Sequence, residues 1–192
     1  MLFRSVEPAK GTVNPRVFID RLAKKMPANV TVVADVGQNQ IWTCTEYKFR
    51  KEGRLLTSGG MGTMGYSVPA AIGAKMADDS RATVAICGDG AFQMSFMELA
   101  TAVQFGVDIK VVVMTNNRLG MVRELQTNGY HDRQTAVFLD GSPDFIKLAE
   151  AYGIPAMRVY DDDTMEKGVE MLAEHKGICL VEVVVDKDMP TL

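Results

Sequence analysis

Two short clusters of small, oxygen-bearing side chains stand out along the chain. Gly88-Asp89-Gly90 sets a carboxylate between two glycines, and Asn116-Asn117 follows about 27 residues later. Hard oxygen ligands of this kind suit Mg²⁺, which takes one or two protein carboxylates or carbonyls and completes its shell with phosphate oxygens and water. A carboxylate beside a diphosphate is otherwise repelled by about 4 kcal/mol per pair of unit charges at ~4 Å and an effective dielectric near ~20. A divalent cation between the two reverses that sign. Gly90 and Ala91, opening the next helix, can turn backbone N–H groups toward phosphate oxygens. The plainer reading of Asn116-Asn117 is that both cap the helix that follows.

A second motif competes with this chemistry. Gly60-Met-Gly62-Thr-Met-Gly65 matches G-x-G-x-x-G, the dinucleotide fingerprint, with Leu55-Leu56 before it and a helical Val68-Pro-Ala-Ala-Ile72 after it. That fingerprint also wants an acid roughly 20 residues on, where Asp89 would pass only loosely as a ribose ligand. The flanking glycines of Asp89 and the second oxygen-rich cluster argue for the cation instead. The bland alternative is that the glycines only permit tight turns and close helix packing.

These residues need a scaffold, and the hydrophobic pattern supplies one. Asn14-Pro15 followed by Val17, Phe18, Leu22 and Met26 reads as an N-cap, a first-turn proline and one apolar helical face. Val30–Ala34 is a short β-branched run suited to burial on both faces of a parallel sheet. The runs Ala82–Cys87, Lys110–Met114, Ala156–Tyr160 and Ile178–Val185 read the same way, with helices predicted over Phe92–Phe105 and Phe145–Tyr152 between them. Alternating β and α elements predict an α/β fold: a doubly wound, mostly parallel sheet with helices on both faces. In such sheets ligands bind outside the carboxyl ends of the strands. Those ends are Asp35-Val36-Gly37-Gln38-Asn39, Gly88-Asp89-Gly90-Ala91 and Thr115-Asn116-Asn117, joined by the glycine cluster Ser58–Gly65.

Composition narrows the classes further. With 192 residues, 21 Lys+Arg against 24 Asp+Glu and 47% apolar content, the chain suits one globular domain and carries no basic excess for nucleic acid. Its three cysteines, Cys44, Cys87 and Cys179, have no C-x-x-C spacing, so neither a disulfide framework nor a zinc site is expected, and a reduced, cytoplasmic setting is. No apolar run reaches the roughly 18 to 20 residues of a membrane span, and Met1–Glu7 lacks a signal-peptide pattern. His131 and His175 are isolated, Glu98 reads as structural, and Asp161-Asp162-Asp163 reads as a solvated helix start.

The Gly88-Asp89-Gly90…Asn116-Asn117 run resembles the GDG…NN signature of thiamine diphosphate enzymes. Asp35–Trp42, Thr57–Tyr66 with Pro69–Gly73, Glu98–Thr101 and Asn116–Val122 are similar to blocks of the acetolactate (acetohydroxyacid) synthase catalytic subunit, in order through about residues 14 to 185. The resemblance implies a thiamine diphosphate-binding fold and a transferase that decarboxylates one 2-oxo acid and condenses it with a second, with pyruvate as substrate, in branched-chain amino acid biosynthesis. It implies Asp89, Asn116 and the main-chain carbonyl of Arg118 as Mg²⁺ ligands, with Asn117 the runner-up for Asn116. It further implies Val36, Gly37, Gln38, Asn39, Gly62, Met64, Gly88, Gly90, Ala91, Gly120 and Met121 around the cofactor. Gln38, Asn39, Gly90 and Ala91 would meet the diphosphate, the Gly62 carbonyl the aminopyrimidine, and Met64 would be the wedge that bends the cofactor. On composition alone a Met is more often core filler, and the chain has 13.

Two departures are visible. Asn39 stands where the family usually has His, and Asn donates a hydrogen bond without carrying charge. Leu125 stands where the synthases usually have a tryptophan shaping the pocket for the second 2-oxo acid. The resemblance also places the essential glutamate on an N-terminal pyrimidine-binding domain of a neighbouring subunit. That domain and the middle domain are expected to be absent from residues 1–192, which leaves no catalytic residue in this chain and no basis for FAD. The expectation is a single C-terminal cofactor-binding domain, inactive alone, working in a homodimer with the missing domain in cis or in trans. The alternatives are a cofactor-binding subunit of a split 2-oxo acid decarboxylase or oxidoreductase, and a dinucleotide-binding module.

Overall fold

A computed structural model describes residues 6–192; Met1–Ser5, most of the Met1–Glu7 stretch read for a signal, lie outside it. The chain alternates as α1 (Pro15–Lys25), β1 (Thr31–Ala34), α2 (Gln38–Glu46), β2 (Arg54–Thr57), α3 (Ser67–Ala77), β3 (Thr83–Gly88) and α4 (Asp89–Gln93). It continues through α5 (Leu99–Gln104), β4 (Lys110–Thr115), α6 (Gly120–Gly129), α7 (Phe145–Ala151), β5 (Ala156–Val159), α8 (Asp162–Glu174) and β6 (Cys179–Val184). Every strand pairing is parallel, in the order β2-β1-β3-β4-β6-β5. The doubly wound parallel sheet is therefore observed.

Alternation along the strands builds two cores. Val32, Ile86, Val112 and Val181 face α1, α2 and α8 with Phe18, Leu22, Trp42 and Leu172. Val33, Ala85, Val111 and Leu180 face the other way, onto α3, α4, α5 and α7 with Ala71, Phe92, Leu99 and Phe145. Because both faces are covered, β1, β3 and β4 are apolar almost throughout, which is why they read as continuous runs.

Local chemistry fixes the helix starts. The Asn14 side chain accepts from Arg16 N and Val17 N ahead of Pro15, and Asp144 caps α7 in the same way. Asp161 forms a capping box with Thr164, so the acidic run is a helix start as read from the sequence. No helix among the described residues is long and apolar enough to cross a membrane.

Two elements differ from expectation. The sequence gives no strand signal at Arg54–Thr57, yet it forms β2 as an edge strand whose Arg54 and Leu55 are exposed. The helix predicted over Phe92–Phe105 starts earlier and breaks at Met94–Ser95, giving α4, a 3₁₀ turn at Phe96–Glu98 and α5. The break falls where the Gly65 turn packs on Met94, whose Cβ lies 3.0 Å from the place a Gly65 side chain would occupy. A tertiary contact overrides the local apolar pattern there.

Candidate functional site

The strand order reverses between β1 and β3, since β1 is followed by a neighbour on one side and β3 builds out the other. A crevice at that point, beyond the carboxyl ends of the strands, is where an open α/β sheet binds ligands. A cleft with about 580 Å³ of empty space lies there, partly open to solvent, lined by the ends of β1, β3 and β4 and the first turns of α2, α4 and α6. It brings together Val36, Gly37, Gln38, Asn39, Met64, Gly88, Asp89, Gly90, Ala91, Asn116, Arg118, Gly120 and Met121. Gly62, named with them from the sequence, is not among its lining residues: it is exposed on the loop between β2 and α3, with φ +64°. Trp42 and Leu119, which sequence reasoning had not singled out, also line the cleft.

Asp89 is the electrostatic centre. It is 2% exposed, and burial pushes its carboxyl up to about 6 against the opposing pull of backbone N–H groups from Asn117, Gly90 and Asn116. Oδ1 accepts from Gly90 N at 2.8 Å, and Oδ2 accepts from Asn117 N at 2.7 Å and Asn116 N at 3.1 Å. Asn117 has φ +55°, a left-handed conformation that Asn tolerates, and it helps turn two successive N–H groups to one oxygen. A carboxylate offers about four lone pairs. The three donors, with a weaker pull from Asp89's own N–H, hold the carboxylate in place at the rim of the cleft.

The asparagines differ in placement. Asn116 is half-buried and lines the cleft; Asn117 is exposed and does not. Asn116 Oδ1 accepts from Arg118 N at 3.1 Å, and its Nδ2 donates to Gln38 Oε1 at 3.1 Å. Arg118 forms a bridge with Phe138 whose two bonds, Leu119 N to Val137 O and Leu139 N to Asn117 O, leave the Arg118 carbonyl out. One carboxylate, one amide oxygen and one main-chain carbonyl make a donor set fit for a hard cation that keeps water and phosphate in its shell. No cluster of three or more His, Cys, Asp or Glu occurs among the described residues.

The glycines leave no spare room. A Cβ on Gly90 would come within 2.6 Å of Leu119 Cδ2, and one on Gly120 within 1.9 Å of Gln38 Oε1. Gly37 has φ +141°, and a Cβ there would meet Asn39 Oδ1 at 2.7 Å. Asn39, 2% exposed, donates from Nδ2 to the carbonyls of Asp35 and Ile86 at 2.9 and 3.2 Å, stitching the ends of β1 and β3 together.

The glycine cluster is held by a residue whose part was not foreseen. Asp35 is fully buried at the end of β1; its Oδ1 accepts from Val36 N and Gly65 N at 2.8 and 3.0 Å, and its Oδ2 from Ser67 N at 2.8 Å. A protein carboxylate thus occupies the start of α3, the place a dinucleotide's pyrophosphate would take after a G-x-G-x-x-G loop. Asp89 ends β3, which is not adjacent to β2 in the sheet. The strand–loop–helix context of the fingerprint is present, but its anion site is filled and its acid is misplaced.

The family described as "Thiamine pyrophosphate enzyme, C-terminal TPP binding domain" matches residues 35–183, which hold α2 through most of β6 and the whole cleft rim except Val185. The chain belongs to that family. It is 39% identical over 185 residues to the mitochondrial acetolactate synthase catalytic subunit of Aspergillus candidus, covering 95% of this chain and 26% of the relative. Against the acetolactate synthase large subunit of Lactococcus lactis it is 38% identical over 94% of this chain and 31% of the relative. With the acetolactate synthase of Arthrospira platensis it shares 43% over 80% of this chain and 27% of the relative. The chain thus spans a quarter to a third of the length of these relatives, and it is the thiamine diphosphate-binding domain of an acetolactate synthase-like protein.

Proposed function

We propose that the cleft holds thiamine diphosphate through Mg²⁺, with Asp89 Oδ1, Asn116 Oδ1 and the Arg118 carbonyl as protein ligands. The observation that carries this is the gathering of a buried carboxylate, an amide oxygen and a main-chain carbonyl on the rim of one cleft. The exposure of Asn117 supports Asn116 as the ligand. Val36, Gly37, Gly88, Gly90, Ala91 and Gly120 form the close backbone walls, and Met64 and Met121 the apolar ones that exclude water. The Gly62 carbonyl stays assigned to the aminopyrimidine within this proposal, although Gly62 itself lies off the cleft lining.

When bound, the cofactor supplies the electron sink that lets a 2-oxo acid lose CO₂ and join a second carbonyl compound. The protein's part is to orient it, neutralise its phosphates and keep the cavity dry. The parent activity we propose is that of a transferase making 2-acetolactate from two pyruvates, in branched-chain amino acid biosynthesis, supported by the acetolactate synthase names of the relatives; a cytoplasmic, dimeric setting belongs to the same proposal. Asp89 and Arg118 are the ionisable residues lining the cleft, so the proton-moving carboxylate belongs on a pyrimidine-binding domain outside this chain, supplied in cis or in trans. Leu125, 61% exposed on α6, favours a roomier pocket for the second substrate than a tryptophan would leave. It keeps open a second reading, a subunit of a split 2-oxo acid decarboxylase or oxidoreductase.

Calorimetric titration with thiamine diphosphate tests the proposal. Binding is expected with Mg²⁺, to be lost with a chelator, and to be lost in Asp89→Ala. Binding of NAD that survives Asp89→Ala, with none of thiamine diphosphate, overturns it.

A further inference from the structure

Gln38 sits on the cleft, but its side-chain amide is turned away from it. Nε2 donates to the Met189 carbonyl and Thr191 Oγ1, each at 3.0 Å, and lies 3.4 Å from Glu124 Oε2. Oε1 accepts from Asn116 Nδ2. The residues on the far side form a tied strap. Glu124 accepts from Thr191 N at 3.2 Å and from the Thr191 hydroxyl, Arg16 donates to the Thr191 carbonyl, and the Trp42 indole N–H donates to the Pro190 carbonyl at 3.1 Å.

The chemistry of these partners fixes two amide orientations in series. A carboxylate and a main-chain carbonyl can only accept, so the end of Gln38 facing Glu124 and Met189 must be its NH₂. Its carbonyl is then forced toward Asn116, which must present NH₂ to it. The Asn116 carbonyl oxygen is left pointing the other way, with a second lone pair beyond its bond from Arg118 N. Gly120 makes this contact possible, because any side chain there would occupy the place of Gln38 Oε1.

We propose that Gln38, Glu124 and the strap Met189–Thr191 act as positioning residues that set the amide of Asn116 so that its oxygen faces the cation. This rests on Asn116 being a Mg²⁺ ligand, as proposed above, and assigns Gln38 an orienting task in place of a phosphate contact. Outer partners of a metal ligand typically change metal affinity by about 10- to 100-fold when removed.

The test is Mg²⁺ half-saturation at fixed, saturating thiamine diphosphate, read by calorimetry on the 192-residue chain. Glu124→Ala is expected to raise it about tenfold or more, with Glu124→Gln, which keeps an acceptor for Thr191, recovering most of the loss. Asn116→Asp supplies the readout that a purely structural role would not move. An aspartate has oxygen on both sides, so Glu124→Ala made in that background is expected to change half-saturation by less than about twofold, a non-additive cycle. Emission of Trp42, the single tryptophan, follows whether the strap stays docked. If Glu124→Ala does not fold, Thr191→Val removes the hydroxyl that Glu124 and Gln38 share and is read in the same cycle. Equal effects of either variant in the parent and Asn116→Asp backgrounds, or none in both, overturn the positioning role while Mg²⁺-dependent binding by the parent chain stands. Absence of that binding in the parent overturns both proposals.

Discussion

At the scale of the residue, Asp89 links burial to ligand binding. Its carboxyl is pushed up to about 6 in the folded chain from an ordinary 3.8, so the fold favours the protonated form. Its contribution to stability is complete below about pH 4 and is lost as pH rises through 6, to the extent of roughly 3 kcal/mol. Unfolding of the unliganded chain followed across pH 4 to 8 is expected to show this fall, and Asp89→Asn to flatten it. Because a cation needs the ionised form, Mg²⁺ affinity moves oppositely: it should weaken by about tenfold per unit below pH 6. A calorimetric series in which affinity stays constant between pH 5 and 7 would contradict Asp89 as a ligand. Gly120 gives a steric counterpart. Gly120→Ala drives a methyl into Gln38 and is expected to destabilise the chain by about 1 to 3 kcal/mol in thermal denaturation.

At the scale of the element, the loop between β2 and α3 is tied to β1 by Asp35. Asp35→Ala leaves the Val36, Gly65 and Ser67 N–H groups without their acceptor at a buried site. Such groups cost about 1 to 3 kcal/mol each when unsatisfied, and partial relaxation makes about 3 kcal/mol in total a fair expectation. That is a drop of roughly 6 to 12 °C in a thermal melt for a chain of this size, with Asp35→Asn intermediate. Limited proteolysis should then cut within Ser58–Gly65, and an intact loop in Asp35→Ala would refute the clamp. The same element shows where sequence reading succeeds and stops. β1, β3 and β4 were legible because burial on both faces leaves a nearly uninterrupted apolar run, and β5 and β6 because apolar residues flank the single charges Arg158 and Glu182; the observed ends of all five differ by a residue or so. β2 was not, because an edge strand with Arg54 and Leu55 in solvent has no such run. The helical kink at Met94–Ser95 depends on Gly65, 29 residues away, and leaves no local signal.

At the scale of the whole molecule, the cleft is a geometry that distant segments assemble. Gly88-Asp89-Gly90 and Asn116-Asn117 were readable because their own side chains and spacing carry the chemistry. The strap was not, since Gln38 and Thr191 are separated by 153 positions and neither stands out by type. What the assembled cleft contains also bounds what it can do. Asp89 would be bound to the cation, and among the described residues no second carboxylate, histidine or lysine lines the cleft, so the acid or base of a turnover is expected from elsewhere. Met61, Val122 and Leu125 stand 91%, 43% and 61% exposed, on the 58–66 loop and on α6, apolar surface that a further domain could cover. The 192-residue chain is therefore expected to bind thiamine diphosphate with Mg²⁺ yet form no acetolactate from pyruvate. Mixing it with a pyrimidine-binding domain of its own parent or partner gene should restore turnover, and a rate that saturates with added domain would measure the affinity between them. Acetolactate formation by the chain alone, at a rate unaffected by that domain, would show that the proton-moving group lies within these residues after all.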